Sequence, residues 1–199
     1  MGSQNYLNMA FEKLGHIMLD DMRMKASDIY KLAVKRQKKQ DYNPPVYNEN
    51  KINIRSVFEK GGMCFYVTPK NASVKEYFMF LHGGGFVSQM SRNEWRFVLD
   101  TVESTGYGAV VPVYPIAPDH SAAEAVDMLA GAYEKLCEKE DANRIVLIGD
   151  SSGACLALSV AIQLWKTGIR RPDKLILCSP VLDTEFEDRE LEQEMGDRR

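Results

Sequence analysis

From Arg144 to Trp165 the chain reads RIVLI, GDSSG, ACLALSVAIQLW: an apolar strand-like run, a short turn of small and polar residues, and a long helix-forming stretch. The same alternation recurs along the chain. Further strand-like runs lie at Tyr77–Leu81, Ala109–Val113 and Leu175–Cys178, and helical stretches lie near Glu94–Ser104, Ala122–Lys139 and Ala154–Thr167. Strands that are continuous apolar runs alternating with helices predict an α/β chain, its sheet mostly parallel and covered by helices on both faces. Ahead of these, Ile52–Phe58 and Met63–Val67 read as a hairpin around Gly61-Gly62.

The N-terminal part has a different character. Leu7, Phe11, Leu14 and Met18 recur at helical spacing, and a second helical stretch runs from Ser27, a plausible N-cap, to about Lys39. Asn43-Pro44-Pro45 breaks that pattern, so the expected organisation is a helical pair with its linker over 1–45 and a sheet domain over 46–199. The charge balance is 25 basic against 28 acidic residues, a net −3, which gives no electrostatic case for nucleic acid or an anionic membrane as partner. A small molecule is the expected partner. No stretch approaches the roughly 20 apolar residues needed to span a bilayer, and the first residues lack a basic region followed by an apolar core, so a cytoplasmic protein is expected. Cys64, Cys137, Cys155 and Cys178 form no C-x-x-C pair and are expected to be reduced and buried.

Two segments carry chemistry. Gly149-Asp150-Ser151-Ser152-Gly153 is a G-x-S-x-G pentapeptide between a strand and a helix, the context of a nucleophile elbow in which Ser151 occupies a strained turn. Gly149 and Gly153 are then small so that strand and helix can approach. His82-Gly83-Gly84-Gly85-Phe86 follows another strand, and its glycines leave backbone N–H groups open to a developing negative charge. A flexible loop or a phosphate cradle would use the same glycines, but no G-x-x-x-x-G-K-[ST] pattern accompanies them.

In order and spacing, HGGGF, YPIAPDH (Tyr114 to His120) and GDSSG resemble the bacterial hormone-sensitive-lipase-like esterases, over roughly Ile52 to Asp183. Those proteins usually read Y-R-L-A-P-E-H and G-D-S-A-G-G, so this chain departs at Pro115, Ile116, Asp119, Ser152 and Ala154. The resemblance implies an α/β-hydrolase fold, a small-molecule ester as substrate and no cofactor or metal. It implies Ser151 as nucleophile and the N–H groups of Gly83, Gly84 and Ser152 as oxyanion donors. His82, Gly85, Gly149, Asp150 and Gly153 would support the site, and His82 and His120 would be hydrogen-bonded structural residues. The N-terminal helices resemble the family's cap, with Met9, Met18, Met22 and Met24 as candidates to line an acyl wall.

A serine hydroxyl needs a histidine base, held in turn by a carboxylate, and in this fold both follow the serine in chain order. The three histidines, His16, His82 and His120, all precede Ser151, so acid and base are expected beyond Arg199 and the chain itself is expected to be inactive. On that expectation the strand Leu175–Cys178 would leave an apolar sheet edge open to self-association. Two other readings stay open at this point: a non-catalytic binding module that keeps the motifs, and a serine amidase or peptidase on the same scaffold.

Overall fold

A computed structural model describes residues 31–180 apart from 32, 36, 39 and 71, and of residue 139 the backbone alone. The first predicted helix, His16, the four methionines of the proposed acyl wall and the acidic stretch from Asp183 lie outside the described residues. Two compact units are present, 1–40 and 41–199. In the first, residues 31, 33–35 and 37 are helical, and the Lys38 N–H donates to Val34 O at 3.3 Å.

The second unit is built on six strands: β1 (Ile52–Glu59), β2 (Gly62–Pro69), β3 (Glu76–Leu81), β4 (Gly108–Val113), β5 (Arg144–Asp150) and β6 (Lys174–Cys178). Three helices connect them: α1 (Arg92–Thr105) between β3 and β4, α2 (Ala122–Lys139) between β4 and β5, and α3 (Ser152–Thr167) between β5 and β6. The sheet order is β1-β2-β4-β3-β5-β6; β1 and β2 pair antiparallel, as do β2 and β4, and the remaining pairs are parallel. The expected α/β architecture is therefore present. The hairpin turn differs by one residue from the reading above. Glu59 pairs with Gly62, so Lys60 and Gly61 form the two-residue loop, both with positive φ as a primed hairpin turn requires.

Alternation along the central strands divides the core in two. Met79, Leu81, Val110, Ile145 and Leu147 face α2 and α3, whereas Phe78, Phe80, Ala109, Val111, Val146 and Ile148 face α1. Burial on both faces explains why these strands read as continuous apolar runs rather than as alternating ones. Helix α1 buries Trp95, Val98, Leu99 and Val102, one helical stripe, with Trp95 packed edge-on to Phe65 at 5.4 Å.

Helix starts are fixed by local chemistry. Ser91 with Glu94, and Ser121 with Glu124, form complete capping boxes, each worth about 1 kcal/mol. This is why α1 begins at Arg92, two residues before the predicted start. Among the described residues β6 is the outer strand on its side, and Ile176 is 43% exposed; of the cysteines expected to be buried, Cys178 is exposed and Cys137 and Cys155 are half-buried. Cys64 is fully buried, and burial, then the nearby Glu59, pushes its thiol up to about 12, so it packs as a hydrophobe.

The connections position the site. β3 leaves toward α1 on one face, and its neighbour β5 leaves toward α3 on the other, so a crevice opens where their C-terminal ends diverge. Leu81 pairs with Gly149 at that point, which brings the His82 and Ser151 segments together.

Candidate active site

Ser151 links β5 to α3 with φ 51° and ψ −117°, a conformation that side chains rarely adopt. Its neighbours hold it there. The Ser151 N–H donates to Cys178 O on β6 at 2.8 Å, and Ser151 O accepts from the Ala154 N–H at 3.0 Å as α3 begins. Its hydroxyl does not cap the helix. The two flanking glycines are required by close approach: a β-carbon on Gly149 would lie 2.4 Å from Gly153 O, and one on Gly153 would lie 2.2 Å from both His82 O and Leu81 O.

The H-G-G-G segment packs directly on this turn. A β-carbon on Gly83 would meet Asp150 Oδ2 at 3.0 Å and Ser151 Cβ at 3.4 Å. Gly84 has φ +115°, and a β-carbon there would press on Ser88 O at 2.8 Å. Gly85 has φ +61° and opens onto free space. Gly83 is buried, whereas Gly84 and Gly85 are exposed.

His82 anchors the loop from beneath. It is 1% exposed and stacks on Tyr114 with ring centroids 4.2 Å apart. Its Nδ1 lies 2.7 Å from Gly83 O and its Nε2 3.1 Å from Gln89 Oε1, while the Tyr114 hydroxyl donates to His82 O at 2.6 Å. Gln89 Nε2 donates to Tyr114 O at 3.0 Å, closing the ring of contacts. Burial holds His82 below its ordinary pKa, outweighing the Gly83 carbonyl and the Glu94 charge, so it stays neutral at pH 7. His120 is exposed and lies 3.7 Å from Glu124, four residues on along the chain.

Glu94 was not among the residues read from sequence as part of the site. Its carboxylate accepts from the Gly83 N–H at 2.6 Å with one oxygen and from the Ser91 N–H at 2.7 Å with the other. The Gly83 N–H, expected to face an oxyanion, is thus committed to Glu94, because the same carboxylate that caps α1 reaches the loop. The capping signature S-x-x-E was visible in the sequence, but its second contact depends on how the loop folds back. Burial, then the negative charge of Glu94, raises the Asp150 carboxyl above its ordinary pKa. Ser152 is 1% exposed and its hydroxyl has no hydrogen-bond partner among the described residues.

Residues 78–199 match the alpha/beta hydrolase fold family. The chain belongs to that family. Within it, this alpha/beta hydrolase is similar to an esterase of Acinetobacter venetianus, 32% identical over 113 residues that make up 56% of this chain and 37% of that protein. A solved Staphylococcus aureus structure assigned as an esterase superposes with TM-score 0.71 at 25% identity, covering 87% of this chain and 61% of that one. The crystal structure of an esterase of the bacterial hormone-sensitive lipase family gives TM-score 0.61 at 25% identity, covering 82% and 53%. The resemblance carried by HGGGF, YPIAPDH and GDSSG is thereby borne out. The chain spans well under half the length of the curated relatives it matches. Among the described residues no helix is long and apolar enough to cross a membrane.

Proposed function

We propose that this alpha/beta hydrolase supplies the nucleophile and oxyanion donors of a serine carboxylic-ester hydrolase. The observation that carries the reading is the strained Ser151, set on a strand-to-helix turn directly against the glycine loop. Ser151 Oγ attacks the ester carbonyl carbon, the alcohol leaves, and water later releases the acid from the acyl-enzyme. The N–H groups of Ser152, at the first turn of α3, and Gly84 face the developing oxyanion, while Gly83 is held by Glu94 and fixes the loop. His82, Asp150, Gly85, Gly149 and Gly153 set the geometry of the turn and loop. The general base comes from outside the described residues, since His82 is enclosed by its own partners and His120 is engaged near Glu124.

The family relationship supports esters as the substrate class: the relatives are described as esterases and lipases. Turnover of p-nitrophenyl acetate by the 199-residue chain tests the reading. Without a positioned base, the expected rate is at most about a thousand- to ten-thousandfold over water, a remainder that the oxyanion donors and binding supply and that Ser151→Ala leaves largely intact. Robust turnover that Ser151→Ala leaves unchanged would overturn the assignment. Robust turnover abolished by the same change would keep the nucleophile and place the base within these residues, with His16 the remaining histidine.

A further inference from the structure

Ser152, the residue after the proposed nucleophile, carries a hydroxyl that is costly where it stands. It is 1% exposed, and among the described residues its Oγ has no hydrogen-bond partner. A buried hydroxyl gives up its water and, without a partner, regains nothing, so such groups are rare and persist mainly where they serve a purpose. The bacterial esterases that the chain resembles usually carry alanine here, so the turn itself does not need the hydroxyl.

Helix geometry sends this hydroxyl toward the reacting centre. Ser152 is the first residue of α3 and shares the buried stripe of Leu156 and Val160, four and eight residues on, which faces the sheet. Cα–Cβ bonds tilt toward a helix's N-terminus, and that tilt carries the Ser152 side chain back toward the elbow. Its two chain neighbours are pinned on either side. A β-carbon on Gly153 would lie 2.2 Å from the Leu81 and His82 carbonyl oxygens at the end of β3, and the Ser151 N–H donates to Cys178 O at the end of β6.

Covalent geometry limits the distance. A serine Oγ lies about 3–4 Å from its own amide nitrogen in any staggered rotamer. An oxygen that accepts the Ser152 N–H at about 2.9 Å is therefore within reach of the hydroxyl on the same residue. The need for a further donor follows from Glu94. With the Gly83 N–H held by that carboxylate at 2.6 Å, the N–H groups of Gly84 and Ser152 remain for the oxyanion. Asp150 stands close by as well, its Oδ2 3.0 Å from the place a β-carbon on Gly83 would take. Negative charge forming beside these two carboxyl groups is opposed by them, which raises the value of each added donor.

We propose that the Ser152 hydroxyl donates a hydrogen bond to the oxyanion formed at Ser151, giving the site a third donor in place of the Gly83 N–H. This role rests on the reading of Ser151 as nucleophile. The rate at which a fluorophosphonate modifies Ser151 tests it. The Ser151 Oγ–P bond forms, the P–F bond breaks, fluoride leaves, the serine proton passes to solvent, and the phosphoryl oxygen gathers negative charge on the way. Intact mass against time gives the rate for the 199-residue chain.

Ser152→Ala should slow the reaction at least about tenfold. The same change should raise the melting temperature by about 2–4 °C, because it removes an unmatched buried hydroxyl. Ser152→Cys keeps the volume and donates weakly, so it should react at an intermediate rate, and it replaces Ser152→Ala should that variant misfold. Ser159→Ala, at an exposed position two turns along α3, should leave the rate unchanged. Slower reaction with a lower melting temperature would mark the hydroxyl as a structural group and overturn the proposal. Equal rates in wild type and Ser152→Ala would overturn it while leaving Ser151 as nucleophile, whereas absence of a Ser151 adduct in the wild type would overturn both.

Discussion

Two turns of this molecule bend the chain through a non-glycine residue at nearly the same φ, Lys60 at 50° and Ser151 at 51°. Their surroundings are opposite. The hairpin turn is open: a β-carbon on the neighbouring Gly61 would meet nothing within 4 Å. The elbow is closed on every side, with Gly149 and Gly153 pressed against backbone atoms and Gly83 against Ser151 itself. A primed turn tolerates the left-handed residue because strand twist favours it, whereas the elbow keeps its strain because packing leaves no other path. Strain that is merely local can be substituted away; strain that packing enforces fixes the direction of a reactive group.

Glycine replacements should break this comparison most visibly. Gly153→Ala puts a β-carbon 2.2 Å from two backbone carbonyl oxygens, neither of which can move without parting α3 from β3. The expected loss is about 3 kcal/mol or more, enough to unfold a marginal domain. Gly61→Ala meets only the conformational penalty of φ +88°, about 1–2 kcal/mol. Chemical denaturation of both variants checks the ratio, and equal losses would mean that the elbow is not held by close approach.

A second effect comes from the residue beneath the loop. His82 is buried with its pKa held below the ordinary 6.5, so the unfolded chain binds the proton more readily than the folded one. Stability from this group is therefore complete above about pH 6.5 and is lost as pH falls below it. Between pH 7.5 and 5.5 the melting temperature should drop in the wild type and drop less in His82→Asn. The hairpin from Ile52 to Pro69 contains no histidine, so substitution of its turn residues Lys60 and Gly61 should leave this drop unchanged. An unchanged profile in His82→Asn would remove the buried imidazole from the account.

The smallest effect concerns the strain itself. Ser151→Gly should stabilise the fold by about 1–2 kcal/mol, since glycine adopts this φ and ψ without penalty. Lys60→Gly should gain at most about 1 kcal/mol, because its turn already suits the twist. Thermal unfolding of the two variants decides it. A gain at Lys60 equal to that at Ser151 would erase the distinction between the two turns.

Much of this was legible from residue pattern, and the exceptions have physical causes. Apolar runs such as YFMFL and RIVLI located β3 and β5, because a strand covered on both faces has no polar side to interrupt it. Lys60 at the hairpin tip was missed because Gly61-Gly62 is the stronger turn signal, while the register places the loop one residue earlier. The elbow's serine and both its glycines could be read, since each is required locally by a strand turning into a helix. Glu94, Gln89 and the stacking of Tyr114 on His82 could not, because these contacts form only when the β3–α1 loop returns across the end of β4. Helix spacing likewise says that Ser152, Leu156 and Val160 share a side of α3, but not that the Ser152 hydroxyl finds no partner there among the described residues.

The central claim is that Ser151 is the group this architecture presents for attack. Prolonged reaction of the 199-residue chain with a fluorophosphonate, followed by intact mass and peptide mapping, tests it with no need for turnover. The account predicts one adduct, located at Ser151, formed faster than at any other serine and absent from Ser151→Ala. Labelling spread over exposed serines such as Ser159, with Ser151 unmodified, would contradict it.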